Sequence, residues 1–474
     1  MVSTNPSSGK ARSEPITAGR FQFISVQAPD DAKDPATRRL ARSHAVKQAL
    51  EKKRKLQQES TDNFRVIGLR DKPRRSASKR PRTGTFGASP FSLSADLLDP
   101  FQTLAVDSSR LQALLSNYKA RLAPEPVFSV CEELAFQNFR SVFRTGLVDP
   151  ALLNAVMLSL AVAVTGGSID RECLGYQGQA ISYIRERMSS LDEATSESTI
   201  GAILLLAGVE ARLGVTSQVQ LHMGAVQLLL NICLKKGICL TGGIKRAIFW
   251  QDLNSSILAG SSRIVEHTTF VELQWTRDPF SPSFFRLAPG FQARSNLLTK
   301  NFIEILEDIQ ALRCIRDLPC FVRWDVVRMA SINNHTASIQ SRLVGLPKPS
   351  PILESCHLAA YLCSVMLCCT VWCALVIPSH ISSQLLRVLQ HANGDPIWDG
   401  HSDLLLWLLY MGGAFAPQGP VRSGYILLLR SNGTVKLRGL YTSWGELLQI
   451  LKQFIWSDKA FKSHVKAFWA EVFT

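Results

Sequence analysis

Residues 217–240, SQVQLHMGAVQLLLNICLKKGICL, run directly into residues 241–257, TGGIKRAIFWQDLNSSI. On a helical wheel of about 100° per residue, Val219, Met223, Val226, Leu229, Leu230, Cys233 and Leu234 share one side, and Leu221, Leu228 and Ile232 lie opposite. A helix apolar on two sides needs neighbours on both, so this stretch is expected at the centre of an all-α domain. Gly242-Gly243 is expected to break the chain after the basic turn Lys235-Lys236, with Ile244 opening a second helix that carries Phe249, Trp250 and Asp252.

Working outward, the same spacing predicts helices at 108–122, 129–144, 150–164, 172–191 and 196–213, punctuated by Gly146, Gly166, Gly175, Gly214 and Gly237. No exact internal repeat occurs, which favours an irregular bundle over a solenoid. Residues 268–290 hold Pro279, Pro282 and Pro289 among Phe280, Phe284 and Phe285, and read as a long loop anchored by its aromatics. Helical spacing returns at 296–312 and 323–343, and Pro347, Pro349 and Pro351 then mark a hinge. Residues 358–377, LAAYLCSVMLCCTVWCALVI, carry no charge and are long enough to span a membrane. Four cysteines, Ser364 and Thr370 within the run, and no Lys/Arg cluster at either end, favour a buried central helix instead. Further on, an apolar helix is expected from Trp407 to a terminating Gly412-Gly413. Trp444, Leu447, Leu448, Leu451 and Ile455 form one amphipathic stripe, and Phe461, Val465, Phe468 and Trp469 form another, with the tryptophans as core anchors.

Charge divides the chain differently. Of a net +15, residues 1–85 hold +12, from 20 Lys and Arg against 8 Asp and Glu, which leaves +3 for all the rest. The organisation expected is a disordered N-terminus at 1–33, a basic helix at 34–60, a basic Ser/Pro-rich linker at 61–93 and one large helical domain at 94–474. Asp34 and Pro35 are suited to start the basic helix. Arg38, Arg39, Arg42, Lys47, Lys52, Lys53, Arg54 and Lys55 wrap it without leaving an apolar stripe, so order there depends on a polyanion or a partner. Arg74 and Arg75, with Lys79, Arg80 and Arg82, add two further clusters. These residues are expected to serve nuclear import, nucleic-acid contact or both.

The eleven cysteines all lie at or after Cys131, form no C-x-x-C and mostly sit inside apolar runs. This pattern points to a reducing compartment and small buried thiols. The cysteines between Cys356 and Cys373 are spread around the helix, so they do not converge on a metal. The first residues lack the apolar core of a secretory leader. Nucleotide-loop, hydrolase and metalloprotease signatures are absent, and the nine histidines are scattered. Asp252 and Glu272 fit helix capping or pairing with arginines better than acid catalysis. No enzyme and no cofactor is expected.

Several of these stretches together resemble the regulatory domain of fungal zinc-cluster transcription factors, the fungal-specific transcription factor domain of the second type. They are QLHMGAVQLLLNI (220–232), GGIKRAIFWQDLNSSI (242–257), LLLWLLYMGGAFAPQGPVRSGYILLL (404–429), SWGELLQILKQFIW (443–456) and FKSHVKAFW (461–469). FQFISVQAPDDAKDPATRRLARSHAVKQALEKKRK (21–55) also resembles the opening of a fungal subgroup in which an Arg-x-x-Arg-Ser-His helix precedes that domain. The resemblance implies a nuclear, non-enzymatic transcription regulator whose partners are an import receptor, other regulators and DNA held weakly through the arm. One departure stands out: the six-cysteine, two-zinc cluster of the wider family is missing, because no cysteine precedes Cys131. A second reading, from another class, is a protein-interaction scaffold that never touches DNA and uses its arm for import alone. A membrane-anchored protein would rest on residues 358–377 only, and no membrane partner is expected.

Overall fold

The chain's computed structural model describes residues 104–123, 125, 146–278, 280–318, 326–348, 350–368, 376–433 and 436–473. The expected N-terminal segment, basic helix and linker, and the helix expected at 129–144, lie outside them. Every regular element among the described residues is a helix, so the all-α expectation holds.

The first half is built from α1 (Ser108–Ser116), a 3-10 turn at Tyr118–Leu122, α2 (Pro150–Val164), α3 (Arg171–Arg187), α4 (Leu191–Ala194), α5 (Glu197–Arg212), α6 (Thr216–Lys236) and α7 (Gly242–Ala259). Local chemistry explains most of the boundaries. Asp149 Oδ1 accepts from Leu152 N at 3.0 Å with Pro150 in the first turn, and Asp170 and Ser196 cap α3 and α5 in the same way. The helix expected to reach 191 stops at Arg187, because Ser190 turns to an extended conformation and restarts the chain as α4. Arg187 is held there by both oxygens of Asp149 at 2.9 Å.

Two expectations about the opening stretch need correction. The break falls at Gly237, whose φ of 67° is the left-handed conformation glycine adopts without strain. Thr241 then caps α7, and Gly242-Gly243 form its first turn rather than the break. Nor is α6 buried on both sides. Val219, Met223, Val226, Leu229 and Cys233 are buried, while Leu221 and Leu228 remain 64% and 66% exposed. Ile232 of that side packs partly against the first core, and Leu234, expected on the buried side, is 83% exposed; α5 and α7 are the described neighbours. The central element is α7, buried almost continuously from Gly243 to Ser255.

The second half follows a long connection. Within residues 260–288, Phe270 and Leu273 insert into the first core, and Phe280 and Phe284 lean on the second. Short 3-10 turns interrupt what was expected as plain loop, and Pro289 opens α8 (Pro289–Gln292). Then come α9 (Lys300–Asp317), α10 (Val326–Val344), α11 (Pro351–Cys368), α12 (Ile377–His391), α13 (Ser402–Ala414), α14 (Pro420–Gly433), α15 (Trp444–Leu451) and α16 (Lys462–Phe473). The expected helix at 358–377 already begins at Pro351 as α11, α12 opens at its far end, and residues 369–375 lie outside the described set. Residues 358–365 and Leu367 are buried. Among the described residues no helix is long and apolar enough to cross a membrane.

Around α13 the second core closes on aromatic rings. Trp407, fully buried, has Phe291 edge-on at 5.5 Å and Phe454 stacked at 5.4 Å, and its indole donates to Ile455 O at 3.3 Å. Trp407 is a core anchor, as expected, whereas Trp444 and Trp469 lie only partly buried against that core; Trp398, not singled out in the sequence, is a further buried anchor. Gly412-Gly413 sit in the last turn of α13, where they admit the rings of Tyr425 and Phe468 against the backbone. Their role is room rather than termination.

Candidate functional site

All thirteen basic residues singled out in the sequence, Arg38, Arg39, Arg42, Lys47, Lys52–Lys55, Arg74, Arg75, Lys79, Arg80 and Arg82, lie outside the described residues. What the structure does place is a polar seam where the two cores meet. Each half has its own apolar cluster, and α10 bridges them, with Ala337 in the first cluster and Ile332, Ile339 and Leu343 in the second.

At one end of the seam, the largely buried Arg246 of α7 donates to Asn333 Oδ1 at 2.8 Å, Asn334 Oδ1 at 2.6 Å and the Glu272 carbonyl at 2.6 Å. Burial lowers the pKa of its guanidinium to about 10, which leaves it charged at neutral pH. Asp252, fully buried, holds Arg263 Nε at 2.5 Å and accepts from Ile264 N and Val265 N, pinning the start of the long connection. Glu272 pairs with Lys245 at 2.6 Å. Asp252 therefore pairs with an arginine, as expected, and Glu272 with a lysine instead.

At the other end the seam opens into a cleft. A cavity of about 680 Å³ adjoins a second of about 610 Å³, and they share His267, Glu304 and Arg342. The long connection forms one wall, and α9 with the C-terminal half of α10 forms the other. Asp308, 2% exposed, binds Arg277 Nε at 3.0 Å and also Arg342, while Arg277 reaches Glu307 at 3.1 Å and lies over the Phe285 ring. Burial pushes the Asp308 carboxyl up, and the two guanidiniums pull it back. Behind the cleft, Trp275 stacks on His335 with centroids 3.7 Å apart and planes 5° apart. Neither ring nitrogen of His335 nor the Trp275 indole nitrogen has a hydrogen-bond partner, though all three are buried. An orphaned buried group of this kind costs about 1–3 kcal/mol.

Burial also gives this region a pH response. Desolvation of the cation is the first cause that holds His335 at about 3, with Arg342 and Arg277 adding to it, and His357 at about 4, with Lys348 adding. A histidine whose folded pKa is depressed takes up its proton by unfolding. Its contribution is intact above the unfolded pKa of about 6.5 and is lost as pH falls from there toward the folded value. The raised carboxyls of Asp252 and Asp308 act in the opposite sense. Between pH 7 and pH 5, His335→Phe should therefore lose about 2 kcal/mol less stability than the parent in urea melts. Equal losses would remove His335 from the acid response.

Sequence reasoning missed the cleft, although two residues signalled it. Asp252 follows Phe249 and Trp250, and Asp308 flanks the stripe of Phe302, Ile305, Ile309 and Leu312. A carboxylate beside an apolar stripe marks a buried ion pair.

Among the described residues no group of three or more His, Cys, Asp or Glu is placed to hold a metal ion. The described cysteines are free, and Cys173, Cys233, Cys356 and Cys363 are buried. Desolvation raises the Cys356 thiol to about 12, far from the thiolate a metal requires. Elemental analysis of purified protein is expected to find well under one zinc per chain; one or more would contradict this.

The first core coincides with a family signature. Residues 113–283 match the model of a family described as fungal specific transcription factor domain. The matched span starts within α1 and ends inside the long connection, so it takes in the first half and one wall of the cleft. Just over a third of the chain is covered. The quoted stretches at 220–232 and 242–257 fall inside the match, and those at 404–429, 443–456 and 461–469 fall outside it. No curated protein and no solved structure matches the chain. The match suggests a transcriptional regulator, and the matched family is not one of enzymes.

Proposed function

We propose that this chain acts in the nucleus as a non-enzymatic transcription regulator, in which the helical domain is the regulatory part and the basic arm provides nuclear entry and weak contact with DNA. The observation that carries this reading is the family match at 113–283 in a chain whose first 85 residues hold +12 of its +15 charge. DNA contact is assigned to Arg38, Arg39, Arg42, Lys47 and Lys52–Lys55, or to a partner regulator with its own DNA-binding module. Lys52–Lys55, with Arg74, Arg75, Lys79, Arg80 and Arg82, form three dense clusters of the kind import receptors read.

The import half of this reading is tested by imaging. A fluorescent fusion with Lys52–Lys55 and the basic residues of 72–82 replaced by alanine is expected to lose most of its nuclear signal. Undiminished nuclear signal would mean that these clusters do not direct entry.

A further inference from the structure

One side of α6 presents leucines to solvent in a regular order. Leu221 and Leu228 are exposed, Lys235 follows at the same spacing, and Ala225 and Ile232 lie half-buried between them. Apolar residues recurring this way along a helix form a stripe against which a second apolar segment packs. The only formal charges in α6 are Lys235 and Lys236, both exposed, and it contains no Asp or Glu. That one-sided charge decides between occupants. A second α6 laid on the first brings no acid to either lysine, and a parallel pairing sets lysine against lysine.

The chain just ahead of the described residues fits better. Residues 86–103, FGASPFSLSADLLDPFQT, contain Asp96 and Asp99, no Lys or Arg, and the apolar side chains Phe91, Leu93, Leu97, Leu98 and Phe101. This stretch ends beside its target: Leu104 packs partly against the first core, to which Val219, Met223, Val226 and Leu229 of α6 also belong. From Phe91 to Leu104 the chain can span up to about 45 Å, whereas Leu221 and Lys235 are about 21 Å apart along α6.

We propose that residues 91–101 dock on the exposed side of α6, with Leu97, Leu98 and Phe101 against Leu221 and Leu228 and with the carboxylates at 96 and 99 facing Lys235 and Lys236. Burial of the apolar side chains supplies most of the stabilisation, and the charges fix the register, since charges at a rim orient more than they bind. The tether does the rest. A segment held this near its site has an effective concentration on the order of millimolar, enough for a contact too weak to form between separate molecules. Docking covers apolar surface that other chains would otherwise meet, so a partner that uses α6 must first displace it. Nothing in this depends on whether the arm touches DNA.

The test is zero-length cross-linking of the full chain with a carbodiimide, which joins a carboxylate to a lysine only where the two touch, read by peptide mass spectrometry. Lys245 and Glu272, paired at 2.6 Å, are the internal standard. Mixing unlabelled with nitrogen-15-labelled protein separates links within one chain from links between two. A link from Asp96 or Asp99 to Lys235 or Lys236 within one chain is expected. The double variant Leu221→Gln with Leu228→Gln should cut its yield about tenfold or more, because burying a single leucine side chain is itself worth about tenfold. Both leucines are exposed, so the helical domain stays folded and the Lys245–Glu272 link should be unchanged. Leu97→Ser with Phe101→Ser should lower the yield equally from the other side of the contact. No such link in the parent, undiminished linking in either double variant, or links found only between two chains overturns the proposal, and the last of these would make the occupant a second copy.

Discussion

Replacing Gly413 with alanine is expected to destabilise the protein by about 3 kcal/mol, although the same change in a helix ordinarily stabilises by up to about 1 kcal/mol. The sign reverses because the added methyl would occupy the space of the Phe468 ring. That ring has nowhere to go: it is fully buried, with Tyr410 edge-on at 5.8 Å and the Arg422 guanidinium over it at 5.0 Å. Arg422 is itself fixed by Glu471 at 2.6 and 2.8 Å and by the Gly413 carbonyl at 3.1 Å. An extra carbon must therefore move α13, α14 and α16 together, and close-packed interiors resist such shifts. The comparison is Gly224→Ala in α6, where an added Cβ meets nothing within 4 Å. That variant should gain about 0.5–1 kcal/mol. Urea midpoints of the two variants at unchanged slope give the answer. A stable Gly413→Ala would contradict the close approach of α13 and α16.

The contrast between those two glycines shows what the sequence conveys. Helix starts were legible where the deciding residues are neighbours, as with Asp149-Pro150 ahead of Leu152 and Ser196 ahead of Thr199. The work of Gly412-Gly413 was not, since it depends on Tyr425 and Phe468, which lie 13 and 55 positions further on. The same limit explains α6. Its second apolar side was plain on the wheel, but only the packing of α5 and α7 shows that Leu221 and Leu228 stay outside. Of the site, Asp252 was correctly read as pairing with an arginine, while Glu272 pairs with a lysine. Carboxylates beside apolar stripes hinted at buried pairs, but their partners in the cleft were not legible, because Arg277, Asp308 and Arg342 come from three separate segments.

The second large effect concerns the arm. If Arg38, Arg39, Arg42, Lys47 and Lys52–Lys55 meet phosphates, each contact releases condensed counterions, and log affinity falls against log salt with a slope of about −0.9 per phosphate neutralised. Roughly five or six contacts predict a loss on the order of a thousandfold between 50 and 200 mM salt. Those residues include no Asn or Gln suited to reading adenine, so sequence preference should be weak. Alanine at Lys52–Lys55 should reduce the slope by about 0.9 for each contact it removes and leave the residual sequence preference unchanged.

The most direct test of the regulator reading is therefore a titration of the full chain against duplex DNA at several salt concentrations, beside the Lys52–Lys55 alanine variant. Submillimolar binding at 50 mM salt that falls about a thousandfold by 200 mM, with a shallower slope in the variant, is the predicted result. No binding at 50 mM salt by either protein would contradict direct DNA contact and leave a scaffold whose arm serves import alone.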